Sequence, residues 1–299
     1  MSLKDSIRKI TPGFLLRANR KRKKNNRNQQ LQKQKEGGNA VTKEQLVEQL
    51  KAIGISSGAD VLVHSSLSKI GYLEEGPKTI VDALLEVVGA EGTLLMPTSP
   101  NNVFQLNYIR NTPFFDVRNS PSKLGAITEY FRTLPGVIRS VHPTEPVSAI
   151  GPLAEYYTSE HFGELTPYTK NSPFYRLSEK GGTILYVGVT LANAGTNLHT
   201  LEDAVDDFKY PVYHEEVFDF EVIDYEGNKQ KVKTKVHDPT YSKKRKCDEL
   251  IPMFMKEGAM EKVKVGQAET LKVDAKKFHS VMLEQYEAKG ITMYTPYGE

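Results

Sequence analysis

Within the stretch GTNLHTLEDAV, residues 195–205, His199 and Glu202 stand three positions apart, a spacing that places both on one face of a helix. Three kinds of chemistry fit such a pair: a general base with its carboxylate partner, half of a metal site, or an ordinary solvated helix start. An imidazole in the first turn of a helix feels the positive end of the helix dipole, which keeps it neutral, as a base must be near pH 7. The carboxylate would oppose that shift and fix the tautomer of the ring.

The other candidate side chains narrow the choice. The seven histidines are His64, His142, His161, His199, His214, His237 and His279. None forms an HExxH pattern, and the order His-x-x-Glu reverses the Glu-x-x-His of di-iron bundles. A zinc site needs at least three protein ligands, so no metal is expected. There is no GxSxG elbow, no Walker sequence and no GxGxxG turn. Cys247, the only cysteine, lies in KKRKCDEL, where the charged neighbours predict exposure. That disfavours a covalent acyl-enzyme, excludes an intrachain disulfide and fits a reducing cytoplasm.

Several elements must position these residues. Thr42 and Gln45 form the capping-box pattern ahead of Leu46, Leu50 and Ile53, which predicts a helix start. ADVLVHSSL, TLLMPT and GGTILYVGV read as buried strands. GPKTIVDALLEVVGAEG reads as a helix opened by Pro77 and closed by Gly89. SKLGAITEYFRTLPG reads as a helix with Ile127, Tyr130, Phe131 and Leu134 on its apolar side, and DAKKFHSVMLEQYEAKG as a last amphipathic helix. VFDFEVIDYEGNKQKVKTKV alternates about Glu226-Gly227-Asn228 and predicts a β-hairpin. The expected fold class is therefore α/β: a single domain over residues 41–299, with a mixed central sheet flanked by helices and an added β-hairpin.

Composition adds a second feature. The net charge of +3 hides an asymmetry: residues 1–40 hold twelve Lys or Arg against two acids, Asp5 and Glu36, and the rest of the chain is acidic. This N-terminal arm opens with Leu3, Ile7, Ile10, Phe14 and Leu15 among basic residues and continues as a polar, low-complexity run. It reads as a partly disordered or amphipathic tail. A sharper expectation is docking to an anionic membrane surface, where each Lys or Arg adds about 1 kcal/mol. Nucleic acid ranks last, because no aromatics interleave the charges. No run of eighteen apolar residues and no secretory signal is present. The expected location is cytoplasmic, with the arm able to hold the protein at the inner membrane face.

Four segments in order carry a resemblance: VLVHSSLSKIG, TPFFDVRNSPSKLGAITEYFRTLPGVIRSVHPTEPVSAIGPLAE, NSPFYRLSEKGGTILYVGV and TNLHTLEDAV. Together with GQAETLKVDA near the end, they make residues 43–295 resemble the antibiotic N-acetyltransferases, the aminoglycoside 3-N-acetyltransferases and their relatives. The arm lies outside the resemblance. The resemblance implies acetyl-CoA as donor and an amine of a sugar-like molecule as acceptor. It implies His199 as general base with Glu202 as its partner. It also implies His64, Ser65 and Ser66 against the pantetheine and pyrophosphate arm, Arg139, Ser140 and His142 along the cofactor cleft, and Asp116 near the acceptor. Pro146 replaces the family's serine, and the loop LANAGTN before His199 is a variant; both bear on which acceptor is used.

Two versions of the acyltransferase follow. One modifies an aminoglycoside, as in antibiotic resistance. The other acylates a nucleotide-linked or lipid-linked amino sugar for polysaccharide biosynthesis, which suits an arm at the membrane. A different class of function, a catalytically weak module whose arm binds membrane or nucleic acid, is the alternative.

Overall fold

The computed structural model describes residues 13–298. Helix α1, Gly13–Glu36, precedes α2, Lys43–Ala52. Thr42 caps α2 as expected: its side chain accepts from Gln45 N–H, and the Gln45 side chain accepts in return from the Thr42 backbone N–H. Then follow β1 (Asp60–Ser65), α3 (Pro77–Val88), β2 (Thr93–Pro97) and β3 (Phe114–Asp116). Next come α4 (Ala126–Arg132), β4 (Ile138–Arg139), β5 (Val147–Ile150), α5 (Pro173–Lys180) and β6 (Thr183–Val187). The chain closes with α6 (Thr200–Ala204), β7 (Phe218–Ile223), β8 (Lys229–Thr234), β9 (Met260–Val265), β10 (Ala268–Asp274) and α7 (Ala275–Lys289).

The central sheet runs β4-β5-β2-β1-β6-β10-β9. β1 pairs in parallel with β2 and β6, and the outer pairings are antiparallel. The three parallel strands are buried along nearly their whole length, which is why they read as unbroken apolar runs. Alternate residues feed two cores. Val61, Val63, Leu94 and Leu185 face α2, α3 and α4, where Leu46, Leu84 and Ile127 pack. Leu62, Leu95, Ile184 and Tyr186 face α5 and α7, where Phe174, Leu177 and Phe278 pack. In such a sheet the C-terminal ends of the parallel strands open on one edge, where α/β proteins place their ligands.

Two expectations change. The hairpin β7–β8 forms, but it joins β3 in a separate three-stranded sheet with its own core of Phe115, Phe220, Val222 and Val232. The hairpin that completes the central sheet is β9–β10, which the sequence reading did not identify. Its strand β9, MEKVKV, sits at the sheet edge with mostly exposed polar residues.

Part of the arm is helical. Residues 13–36 are helical, in keeping with the high helix propensity of Lys, Arg and Gln. The helix is seated on the body: Arg27 Nη1 donates to Ser68 O at 2.9 Å, Gln34 Oε1 accepts from Tyr72 N–H at 2.9 Å, and Gln34 Nε2 donates to Gln267 Oε1 at 2.9 Å. From Arg17 onward only Ala18 and Leu31 are apolar, so this part lacks the apolar face of an interfacial helix. The amphipathic pattern of Leu3, Ile7 and Ile10 lies outside the described residues. No helix among the described residues is long and apolar enough to cross a membrane.

Candidate active site

A cleft of about 420 Å³ opens at the C-terminal ends of β1, β2 and β6, with His64, Ser65, Pro97, Val189, His199 and His237 in its wall. The chain leaves β6 through Gly188, which has φ 69°; a Cβ there would stand 2.4 Å from Lys69 Cβ. The turn delivers the segment Leu191–Thr196, with a helical turn over Leu191–Ala194, and this segment forms one side of the cleft. Asp248 holds that segment, accepting from Ala192 N–H at 2.8 Å and from the Thr190 hydroxyl at 2.9 Å.

His199 ends a single 3₁₀ turn, Thr196–His199, and caps the five-residue helix α6. So short a helix has little dipole to offer, and the imidazole is kept neutral by another cause. It is buried, and burial holds its pKa well below the usual 6.5 although the Glu202 carboxylate opposes the shift. His199 Nδ1 donates to Glu202 Oε2 at 2.9 Å, which leaves Nε2 as the basic nitrogen.

Glu202 has two further partners that sequence spacing did not reveal. His237 Nε2 donates to the same Oε2 at 2.8 Å, and the Tyr294 hydroxyl donates to Oε1 at 2.7 Å. Burial by itself would raise the Glu202 pKa, but the two imidazoles and their hydrogen bonds hold it below the usual carboxylate range. The rings form a stack: Tyr168 lies on His199 with centroids 4.8 Å apart, and Tyr213 lies on His237 at 4.7 Å. Asp203 fixes both tyrosines, accepting from Tyr213 OH at 2.9 Å and from Tyr168 N–H at 3.1 Å.

The potential ligand atoms of His199, Glu202 and His237 lie within 4.8 Å of one another, three groups where the sequence offered two. A cation between them would displace both imidazole N–H groups from the carboxylate oxygen they now share. The hydrogen bonds alone account for the arrangement.

His64 and Ser65 do reach the cleft, and Ser66 lines the groove beside it. His64 stacks on Tyr186 with centroids 4.9 Å apart and meets the Thr196 hydroxyl at 3.2 Å through Nε2. Burial pushes its pKa down to about 3. The Ser65 hydroxyl is buried without a partner. The Ser66 N–H is spent on Val187 O at 2.9 Å, so it is not free to hold a ligand oxygen.

The remaining residues implied by the resemblance lie elsewhere. Arg139 is buried under Phe115 and ties loops together, donating to Thr98 Oγ1 at 3.1 Å and to Ser120 O at 2.6 Å. Ser140 Oγ donates to His161 Nδ1 at 2.9 Å and accepts from Val147 N–H at 2.9 Å. The His142 ring stacks on His161 at 4.6 Å, and its Nε2 is buried without a partner. Asp116 closes a turn, accepting from Arg118 N–H at 2.9 Å and Asn119 N–H at 2.8 Å. None of these four lines the cleft.

Three other groups do line it. Cys247, expected to be exposed, is buried against Met293 Sδ at 3.9 Å, and burial pushes its thiol up to about 11. The thiolate needed for acyl transfer is therefore scarce, though not for the reason that the charged neighbours suggested. Glu145 accepts from Gln105 Nε2 at 2.8 Å, and burial raises its carboxyl to about 7. Arg245 stands beside Tyr294 and Glu202, with its Nε and Nη2 buried and without hydrogen-bond partners.

The family model described as aminoglycoside 3-N-acetyltransferase matches residues 62–287. Similar curated proteins include aminoglycoside N(3)-acetyltransferase VIII of Streptomyces fradiae, 33% identical over 55% of this chain and 62% of its own length. Aminoglycoside N(3)-acetyltransferase IV of Salmonella sp is 36% identical over 54% of this chain and 58% of its own. The chain thus spans about three fifths of the length of these relatives. Solved structures agree over more of the fold. Aminoglycoside acetyltransferase AAC(3)-Xa superposes with TM-score 0.73 at 25% identity, covering 88% of this chain and 98% of that one. AAC-VIa bound to sisomicin gives 0.70 at 30%, over 83% and 98%. AAC-IIIb with CoASH gives 0.69 at 26%, over 83% and 96%.

Proposed function

The chain belongs to the aminoglycoside 3-N-acetyltransferase family, and from that premise we propose that it transfers an acetyl group from acetyl-CoA to the amine of an amino sugar. The observation that carries this reading is His199 in the wall of the cleft, backed by Glu202, with the imidazole neutral and its Nε2 free to take a proton. The acceptor attacks as the free amine. Its nitrogen bonds to the thioester carbonyl carbon, the C–S bond breaks, and the proton released by nitrogen passes through His199 Nε2 to the departing sulfur. Glu202 keeps the Nδ1 proton in place and stabilises the imidazolium that forms on the way. The Ser65 hydroxyl, free of protein partners, is the group available to meet the carbonyl oxygen as it gains charge. The buried, protonated thiol of Cys247 supports direct transfer in a ternary complex, where orientation supplies much of the rate.

A second reading of the acceptor has its own support. An aminoglycoside carries several ammonium groups and needs only carboxylates such as Glu145. Arg245 adds a guanidinium to the cleft wall with two nitrogens unpartnered, and such a group suits an acceptor that carries a phosphate or carboxylate as well as an amine. A nucleotide-linked or lipid-linked amino sugar has that chemistry. A thiol-release assay with acetyl-CoA against free, nucleotide-linked and aminoglycosidic amines tests both readings. Turnover with phosphorylated acceptors alone selects the second, and absence of turnover with every amine overturns the activity.

A further inference from the structure

The catalytic cleft does not end at the strand tips. It shares Ser65 and Leu124 with a neighbouring groove of about 630 Å³, floored by apolar groups including Leu31 of α1, Leu67, Leu73 and Ile127. That groove shares Ser68 with a wider, open one of about 1010 Å³. The far groove lies between α1 and the segment after β1, and its charged residues are Arg27, Lys33 and Lys69. Among the described residues no acidic group lines it, and Asn26, Asn28, Gln29 and Gln30 complete its wall with amides. The path thus runs from His199 through an apolar stretch to a cluster of cations. Helix α1 is held in place along it by the Arg27–Ser68 and Gln34–Tyr72 hydrogen bonds.

We propose that α1 forms one wall of the acyl donor's phosphate site, with Arg27, Lys33 and Lys69 receiving the pyrophosphate and ribose phosphate of acetyl-CoA while its thioester lies at His199. This rests on the acetyl-CoA reading above. Acetyl-CoA has the matching order of parts: a thioester, a flexible, largely uncharged pantetheine, and a polyanionic nucleotide. Arg27 and Lys33 belong to a segment upstream of the family match, which begins at Leu62. The basic arm, on this account, is part of the donor site and not an address label.

The test compares two donors, acetyl-CoA and S-acetylpantetheine, which keeps the thioester and lacks the nucleotide phosphates. In the full chain, the triple variant Arg27→Gln, Lys33→Gln, Lys69→Gln is expected to lower the ratio of kcat/KM for acetyl-CoA over S-acetylpantetheine by about tenfold. Lys33→Gln with Lys69→Gln, which leaves the Arg27 bond to Ser68 intact, is expected to lower it less but in the same direction. Calorimetric titration with CoA gives a readout that needs no acceptor, and the Kd should rise in the same order. An unchanged ratio and an unchanged Kd in the triple variant would overturn the proposal. Normal CoA binding that weakens in the variants, with no turnover on any amine, would sink the activity and keep the phosphate site. Absence of CoA binding by the unaltered protein would overturn both.

Discussion

At the scale of single residues, the site turns on one carboxylate oxygen shared by two imidazoles. Glu202 Oε2 accepts from His199 and His237, and Oε1 accepts from Tyr294. Tyr294→Phe leaves the buried carboxylate one donor short. The variant is expected to lose about 1–3 kcal/mol of stability in urea denaturation; an unmoved midpoint would contradict the role given to the hydroxyl. The pH dependence has a definite sign. In the proposed role His199 acts unprotonated, and burial lowers its pKa from 6.5 to about 3, so protonation of the acceptor amine, and not of the imidazole, sets the acid limb. The acid limb of kcat/KM is expected to move with the amine pKa across a series of acceptors, and a limb that stays at 6.5 whatever the acceptor would count against a neutral, buried His199 as base. The pair itself was legible in the sequence because its members stand one helical turn apart. His237 and Tyr294 were not, since they arrive from 35 and 92 residues along the chain, and no local pattern marks a side chain that becomes a partner only through the fold. The position of Cys247 was misread because its neighbours are charged: Lys244 and Lys246 face solvent while the thiol turns inward to Met293.

Among elements, the parallel strands β1, β2 and β6 and helices α2 and α3 were readable from apolar runs and caps, because burial on both sheet faces and one helix face dictates those patterns. Strand β9 was not, since the edge strand MEKVKV exposes Glu261, Lys262 and Lys264 and carries little burial signal. The cleft depends on how β6 ends. Gly188 sits at φ 69° against Lys69, so Gly188→Ala is expected to cost about 1–2 kcal/mol from the backbone alone. The 2.4 Å approach to Lys69 Cβ adds to this cost. Activity should fall with stability, because the Leu191–Thr196 segment starts three residues beyond Gly188. Circular-dichroism melts and turnover on the same variant check this, and a melt identical to that of the unaltered protein would contradict it.

For the whole molecule, buried histidines set the acid limit. His64, His142, His161, His199, His237 and His279 all have pKa values lowered by burial. Below pH 6.5 the unfolded chain takes up protons at these sites and the native state does not, so stability falls as the pH falls. Each fully buried histidine contributes a slope of at most about 1.4 kcal/mol per pH unit. Glu145 and Asp203, raised to about 7 and about 6, bind protons in the native state first and offset part of this loss. Urea unfolding at pH 7 and pH 5 is expected to show a markedly lower midpoint at pH 5, and equal midpoints would contradict the burial of neutral imidazoles. The charge asymmetry between arm and body was plain from composition. What the arm packs against was not, because its low-complexity run carries no apolar stripe to point at a neighbour.

The central claim is that His199 removes the proton from an attacking amine. Measuring release of the CoA thiol and formation of the N-acetylated product, for the unaltered chain and for His199→Ala at saturating acetyl-CoA, tests it most directly. The account predicts a fall in kcat of at least about 100-fold with acetyl-CoA binding retained. Turnover by His199→Ala close to that of the unaltered chain would contradict it.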